Sequence, residues 1–313
     1  MAQPPLTILM CTYQGVDHLP AQLRSFLDQS HRNWRLFVSD DGSSDGTREM
    51  LATWGARNPD AELRLVDGPG AGQSAANFLS LLARTTPEDG YLAFADQDDV
   101  WLPQKLERAC AKIAALPDPE APAVYSSRSL HLLPGRARPV PSRRFGRPPA
   151  FGNALVQNIL SGHALVMNPA AACILRASVP AALSARVPYH DWWFYQIATG
   201  AGMQVVIDDE PMLLYRQHDA NELGGNRGFG SGLARIGMLW SERFAGWIDR
   251  NLEGLAACDD LLNPEAREMR DAFAAWRRSG RNRLLRGPHA LGLYRQSRGA
   301  GVALELMGRL GRI

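Results

Sequence analysis

The stretch FADQDDVW, residues 94–101, sets Asp96, Asp98 and Asp99 directly behind an apolar run. Like charges this close repel and raise one another's pKa unless a cation or a set of donors sits between them. The run YLAFA (91–95) reads as a buried strand, so the acids stand at its carboxyl end. In open α/β sheets ligands bind at that end.

Working back toward the N-terminus, apolar β-type runs alternate with helical periods. LTILMCTY (6–13), WRLFVSD (34–40) and LRLVD (63–67) read as strands; LPAQLRSFLDQ (19–29), GTREMLATWGA (46–56) and SAANFLSLLART (74–85) read as helices. This is the texture of a Rossmann-like, mostly parallel sheet flanked by helices. The strand ends then bring Thr12 and Tyr13, Asp40 and Asp41, and Asp96 to Asp99 to one edge.

Downstream, LPQKLERACAKIAAL (102–116) reads as a helix and AVYSSRSLHLL (123–133) as a strand. A Pro-rich segment follows with Arg136, Arg138, Arg143, Arg144 and Arg147 and no acid. ALVQNIL, SGHALVMN, a helix opened by Pro169, YHDWWFYQIATGAG, and a strand pair QVVIDD and MLLYRQH close the first domain, residues 1–226. Residues 227–313 read as helices only, with Leu233, Ile236, Leu239, Trp240, Phe244, Trp247 and Ile248 at helical spacing. From Arg277 to Arg312 nine arginines stand against one acid, Glu305, so this helical extension is basic. It reads either as a cap on the first domain or as a surface for anionic lipid.

At 313 residues, with 45% hydrophobic and 21% charged residues, the chain is long enough for a large core and is neither disordered nor fibrous. Its four cysteines form no CxxC pair or metal-ligand spacing, which fits a reducing compartment. The N-terminus lacks the basic region of a signal peptide, and no window supplies the roughly 18 uninterrupted apolar residues of a spanning helix. The expectation is a cytoplasmic protein, peripheral at the inner face of the plasma membrane if it touches one.

Each acidic site has a structural and a chemical reading. In VSDDGSSDGT (38–47), turn chemistry and an N-cap at Asp45 explain Ser43 to Thr47, but not the doubled Asp40 and Asp41. A carboxylate there suits the N3 hydrogen of a pyrimidine or the hydroxyls of a ribose. Asp96 and Asp98, spaced D-x-D at a strand end, can point the same way because side chains at i and i+2 lie on one face, and oxygen ligands so placed suit Mg²⁺ or Mn²⁺. Asp99 is also explained as an acid at the N-terminus of the next helix.

CTYQG, VSDDGSSDGT, FADQDDVW, SGHALVMN, YHDWWFYQIATGAG and YRQH occur in the order seen in family 2 glycosyltransferases of the GT-A fold. The chain resembles bacterial rhamnosyltransferase-like members that build cell-surface polysaccharide, over residues 6 to about 226. The resemblance implies an inverting transferase and a nucleoside-diphosphate sugar, a dTDP- or UDP-sugar with L-rhamnose foremost. The acceptor it implies is a saccharide or lipid-linked saccharide. It places the nucleotide near Thr12, Tyr13, Asp40, Asp41 and Asp96, and Mn²⁺ or Mg²⁺ at Asp96 and Asp98, with Asp98 the more direct ligand.

The same resemblance makes Asp191 the base that takes a proton from the acceptor hydroxyl. His190 departs from the acid usual at its position, and either tunes Asp191 or only packs. Gly162 and His163 resemble the floor of the acceptor site. Trp192 and Trp193 read equally as a sugar-stacking wall or as core. Arg216 suits phosphate oxygens, and His218 is either a structural histidine or a further metal ligand. Two rival functions are a phosphohydrolase of the haloacid dehalogenase type, with Asp96 as nucleophile, and a non-catalytic nucleotide-binding scaffold of an assembly complex.

Overall fold

A computed structural model of the chain describes residues 3–133, 138–216, 242–280 and 285–313. Its strands are β1 (Leu6–Thr12), β2 (Trp34–Asp40), β3 (Arg64–Asp67), β4 (Tyr91–Ala95), β5 (Val100–Trp101), β6 (Ala123–Leu132), β7 (Val140–Pro141), β8 (Val166–Met167) and β9 (Gln204–Arg216). They form one sheet in the order β3-β2-β1-β4-β8-β6-β9-β5, with β7 paired to β6. The first four run parallel, and β6 and β9 are also parallel; the short β8 is antiparallel to both β4 and β6 and joins the two parallel groups.

Side chains alternate across this sheet with the two-residue period of extended chain. Leu6, Ile8 and Met10 of β1 face one apolar layer, shared with the helices Leu19–Leu27 and Lys105–Ala114. Leu9 of β1 and Leu92 and Phe94 of β4 face the other, covered by the helices Ser74–Ala83, Pro169–Ala177 and His190–Gly200. The helices Glu242–Ala257, Pro264–Arg278 and Arg298–Arg309 extend this second layer, contributing Phe244, Trp247, Phe273, Trp276, Leu304 and Met307. The basic C-terminal helices therefore share a core with the sheet domain. The expected boundary at 226/227, and the apolar positions Leu233 to Trp240, lie outside the described residues.

Two local expectations change. QVVIDD and MLLYRQH do not form a pair: β9 is one strand of 13 residues running beside β6, with register shifts near Arg128 that absorb Pro211. A bulge tolerates a residue that cannot donate a ladder hydrogen bond, so the proline kinks the ladder without ending it. The helix expected from Leu102 begins at Lys105, because Leu102 N–H is taken by Met212 O and Pro103 follows.

Trp192 and Trp193 are packed as core. Trp193 has no exposure, and its indole N–H donates to Ser178 Oγ at 2.9 Å. Trp192 donates to Ala154 O at 2.6 Å and stacks on Phe244 with ring centroids 5.9 Å apart. The sugar-wall reading is corrected on physical grounds, since both rings have spent their faces and donors inside the protein. No helix among the described residues is long and apolar enough to cross a membrane.

Candidate active site

β4 ends at Ala95, and Asp96 to Asp99 form a turn that leads into β5. β5 pairs with the end of β9, so the turn is held between the sheet and Arg216. Asp99 has no exposure, and neither of its carboxylate oxygens has a side-chain hydrogen-bond partner among the described residues. Burial, reinforced by Asp96 and Asp98, pushes its pKa well above the carboxylate range, while Lys105 and the Arg216 backbone N–H work the other way. Lys105 is itself buried with its Nζ 3.6 Å from the Trp101 ring centroid, and burial pulls its pKa down to about 7.

Nδ1 of His163 lies 3.8 Å from Oδ2 of Asp96 and 3.8 Å from Oδ2 of Asp99. Burial, with help from Lys105 and His131, holds the imidazole pKa down to about 3, so it is neutral at ordinary pH. One ligand atom from each of Asp96, Asp99 and His163 falls within 4.8 Å of the others. Two carboxylates and a neutral imidazole are a donor set that Mn²⁺ or Mg²⁺ accepts, and the buried carboxylate of Asp99, without a side-chain hydrogen bond, is the kind of group such a cation would satisfy. The residues fit the metal, but they are a different set from the expected Asp96 and Asp98. The i, i+2 rule applies to strands, and the chain has left the strand by Asp96. His163, expected at the floor of the acceptor site, has its Nδ1 beside these two acids.

The nucleotide-side residues lie on the neighbouring strand ends. Asp40 is buried and saturated: it accepts from Thr12 Oγ1 at 2.7 Å, from Ser43 Oγ at 2.7 Å and N–H at 2.9 Å, and from Arg48 at 3.4 Å. Burial works to raise its pKa, and these hydrogen bonds outweigh it and hold the carboxyl below its ordinary value. Asp40 and Thr12 are thus joined to one another and shape the loop. Asp41 accepts one N–H on each oxygen, from Gly70 at 2.7 Å and Gly72 at 2.9 Å, which leaves lone pairs on both. Asp45 accepts from Thr47 ahead of a helix whose N-cap is Gly46.

Tyr13 is 54% exposed, with a ring open to a ligand. Its backbone meets a residue that inspection of the sequence passed over. Gln97 Oε1 accepts from Tyr13 N–H at 2.9 Å and Gln97 Nε2 donates to Tyr13 O at 2.9 Å. Asn77, on the helix beneath, is buried and pairs with Ser39 through both ends of its amide, a structural role.

Asp191 sits in the first turn of the helix His190–Gly200. Burial raises its pKa to about 6, against hydrogen bonds from Trp192 N–H at 2.7 Å and Gly162 N–H at 3.2 Å and from the Asn158 side chain. A carboxylate poised near neutrality has the protonation behaviour of a general base. His190 packs: its ring stacks on Phe78 at 4.2 Å, and burial lowers its pKa to about 3. Gly162 is bare for the same reason, since a Cβ there would lie 2.8 Å from His190 Nε2 and 3.4 Å from Asp191 Cβ. Arg216 ends β9 beside the acidic turn, while Gln217 and His218 lie outside the described residues.

The model of glycosyl transferase family 2 matches residues 7–162. The dTDP-rhamnosyl transferase RfbG of Shigella flexneri is 25% identical over 265 residues, covering 81% of this chain and 86% of that protein. The UDP-Glc:alpha-D-GlcNAc-diphosphoundecaprenol beta-1,3-glucosyltransferase WfgD of Escherichia coli is 31% identical over 102 residues, 33% of this chain and 38% of that protein. Among solved structures, S. aureus TarS 1–349 in complex with UDP-GlcNAc superposes with a TM-score of 0.53 at 13% identity, covering 98% of this chain and 90% of that one. Likeness at that identity speaks for the fold alone, which is the GT-A arrangement of a mostly parallel mixed sheet and flanking helices.

Proposed function

Because the chain belongs to glycosyl transferase family 2 and is a glycosyltransferase, we propose that it transfers L-rhamnose from dTDP-L-rhamnose to a saccharide or lipid-linked saccharide, with inversion, in cell-surface polysaccharide assembly. The donor follows the relative that aligns along most of both chains. The observation that carries the chemistry is one short segment: Gly162 donates to Asp191 while His163, the next residue, faces Asp96 and Asp99. Candidate base and candidate metal carboxylates are thereby tied to the same turn, Gly162–Ala164.

In this reading Asp191 accepts the proton of the acceptor hydroxyl as that oxygen attacks the anomeric carbon. The bond from that carbon to the diphosphate oxygen breaks on the opposite face, and the nucleoside diphosphate leaves with the bonding electrons. Asp96, Asp99 and His163 would hold Mn²⁺ or Mg²⁺, with Asp98 beside them. Bound there, the metal supplies Lewis-acid stabilisation of charge on the diphosphate. Asp41 and the exposed ring of Tyr13 receive the nucleoside, and Arg216 faces phosphate oxygens. The phosphohydrolase and scaffold readings give way to the family assignment.

Residues 1–226 act as the catalytic domain, and the basic helices of 227–313 also contact the membrane that carries the acceptor. Val302, Leu306 and Leu310 recur every four residues on the exposed side of the last helix and its end, bordered by the exposed Arg298, Arg309 and Arg312. An apolar stripe edged by cations suits an anionic lipid surface. The working place is then the inner face of the plasma membrane.

The experiment is incubation with dTDP-L-rhamnose, UDP-glucose and UDP-GlcNAc without acceptor, following slow donor hydrolysis by NMR. Release of rhamnose of opposite anomeric configuration, from dTDP-L-rhamnose in preference to the UDP-sugars, supports the reading. Retention, or turnover of a UDP-sugar in preference, contradicts it.

A further inference from the structure

We infer that Gln97 is a positioning residue that locks the nucleotide-side loop to the metal-side turn, an inference that rests on the donor-site reading above. β1 and β4 are parallel neighbours whose ladder ends at Met10 and Ala95. Beyond that point Tyr13 belongs to one loop and Gln97 to the other, and the Gln97 amide meets the Tyr13 backbone as donor and acceptor at once, both at 2.9 Å. The side chain extends the sheet by one rung. The acidic turn is anchored from its far side too, where Gln22 Nε2 donates to Asp96 O at 3.0 Å.

A second observation comes from Gly15. Its φ is not among the positive ones, so its backbone does not demand glycine. A Cβ at Gly15 would lie 2.1 Å from Gln97 Oε1 and 2.5 Å from its Cδ. The space a side chain would need is filled by the Gln97 amide, and a methyl group at Gly15 must push that amide off the Tyr13 backbone.

Tyr13, on the nucleotide side, and Asp96, on the metal side, flank the same clamp. Loosening it lets the exposed Tyr13 ring and the Asp96 carboxylate move apart, so both halves of the donor site lose their placement. Gln97 touches neither base nor cation in this account. It acts through Tyr13 and through its own chain neighbours.

The test measures two dissociation constants on the full chain: dTDP or UDP in excess EDTA by calorimetry, and Mn²⁺ alone by electron paramagnetic resonance. Wild type, Gln97→Ala, Gly15→Ala and the double variant are compared, with the thermal midpoint of each. Each single variant is expected to weaken both the nucleotide and Mn²⁺ by about tenfold, the loss of one or two net hydrogen bonds. The double variant is expected to be no worse than Gln97→Ala, because the Gly15 methyl then has room, and the cycle is strongly non-additive. Unchanged constants in Gln97→Ala with only a lowered midpoint reduce Gln97 to a structural tie and overturn the inference, as does an additive cycle. A wild type that binds neither dTDP nor UDP fails differently: it removes the donor-site reading, and the inference with it.

Discussion

His163 Nδ1 stands 3.8 Å from Oδ2 of Asp99, a carboxylate with no exposure and no side-chain hydrogen-bond partner among the described residues. A buried anion next to a neutral imidazole and a second acid is costly unless a cation completes the group. Asp96, Asp99 and His163 are the residues whose ligand atoms lie within 4.8 Å of one another, and on that ground we propose Asp99 as the partner of Asp96 at the metal.

The first prediction follows from that set. His163→Ala and Asp99→Asn are each expected to weaken Mn²⁺ binding about tenfold or more, and Asp98→Asn by less, as read by electron paramagnetic resonance of free Mn²⁺. An Asp98→Asn loss equal to or larger than that of Asp99→Asn would restore the pair expected from strand geometry.

Asp191 gives a pH signature. Its pKa is raised to about 6 by burial, and a base works only when deprotonated, so kcat/KM should rise with pH through an apparent pKa near 6 and level off above it. Asp191→Asn should lower kcat by about 10²–10⁴ with the circular dichroism spectrum unchanged, and the acid limb should vanish from the residual rate. The linkage sign is separate. A carboxyl whose folded pKa is raised adds stability below its unfolded value near 3.8 that is lost as pH rises through about 6. Asp191→Asn should therefore be at least as stable as wild type above pH 6, checked by thermal melts at pH 5 and 8.

How far the sequence carried these assignments depended on the kind of signal. Continuous apolar runs such as those in WRLFVSD and YLAFA correspond to β2 and β4 residue for residue, because a strand buried on both faces needs little besides that pattern. The acidic edge was legible for the same reason. Partnerships between distant segments were not: His163 and Asp99 are 64 positions apart, and nothing in SGHALVMN points toward FADQDDVW. Gln97 was hidden in another way, as the unremarked middle of D-x-D. Its mate is a backbone, and backbone leaves no mark in the sequence; the bare Gly15 was the one available trace.

Gly162→Ala tests the coupling between the turn and the base. The added Cβ would lie 2.8 Å from His190 Nε2, and the buried, stacked His190 has little room to yield. Stability should fall by about 1–3 kcal/mol in urea titrations, and kcat by more than KM rises, because the Gly162 N–H no longer orients Asp191. A variant with lowered stability but wild-type kcat would show that Gly162 serves packing alone.

The membrane reading is tested on the exposed stripe. Leu306→Glu with Leu310→Glu should abolish flotation of the chain with anionic phosphatidylglycerol vesicles while leaving hydrolysis of donor in solution unchanged, since both residues are exposed and outside the proposed site. Wild type that binds zwitterionic and anionic vesicles equally, or neither, would remove the lipid surface from the account.

The most direct test of the central claim is calorimetric titration of dTDP and UDP, with and without Mn²⁺, into wild type and Asp99→Asn. The account predicts that dTDP binds more tightly than UDP, that Mn²⁺ strengthens dTDP binding to the wild type, and that Asp99→Asn loses most of that gain. Nucleotide binding that ignores both Mn²⁺ and Asp99, or no binding at all, would contradict it.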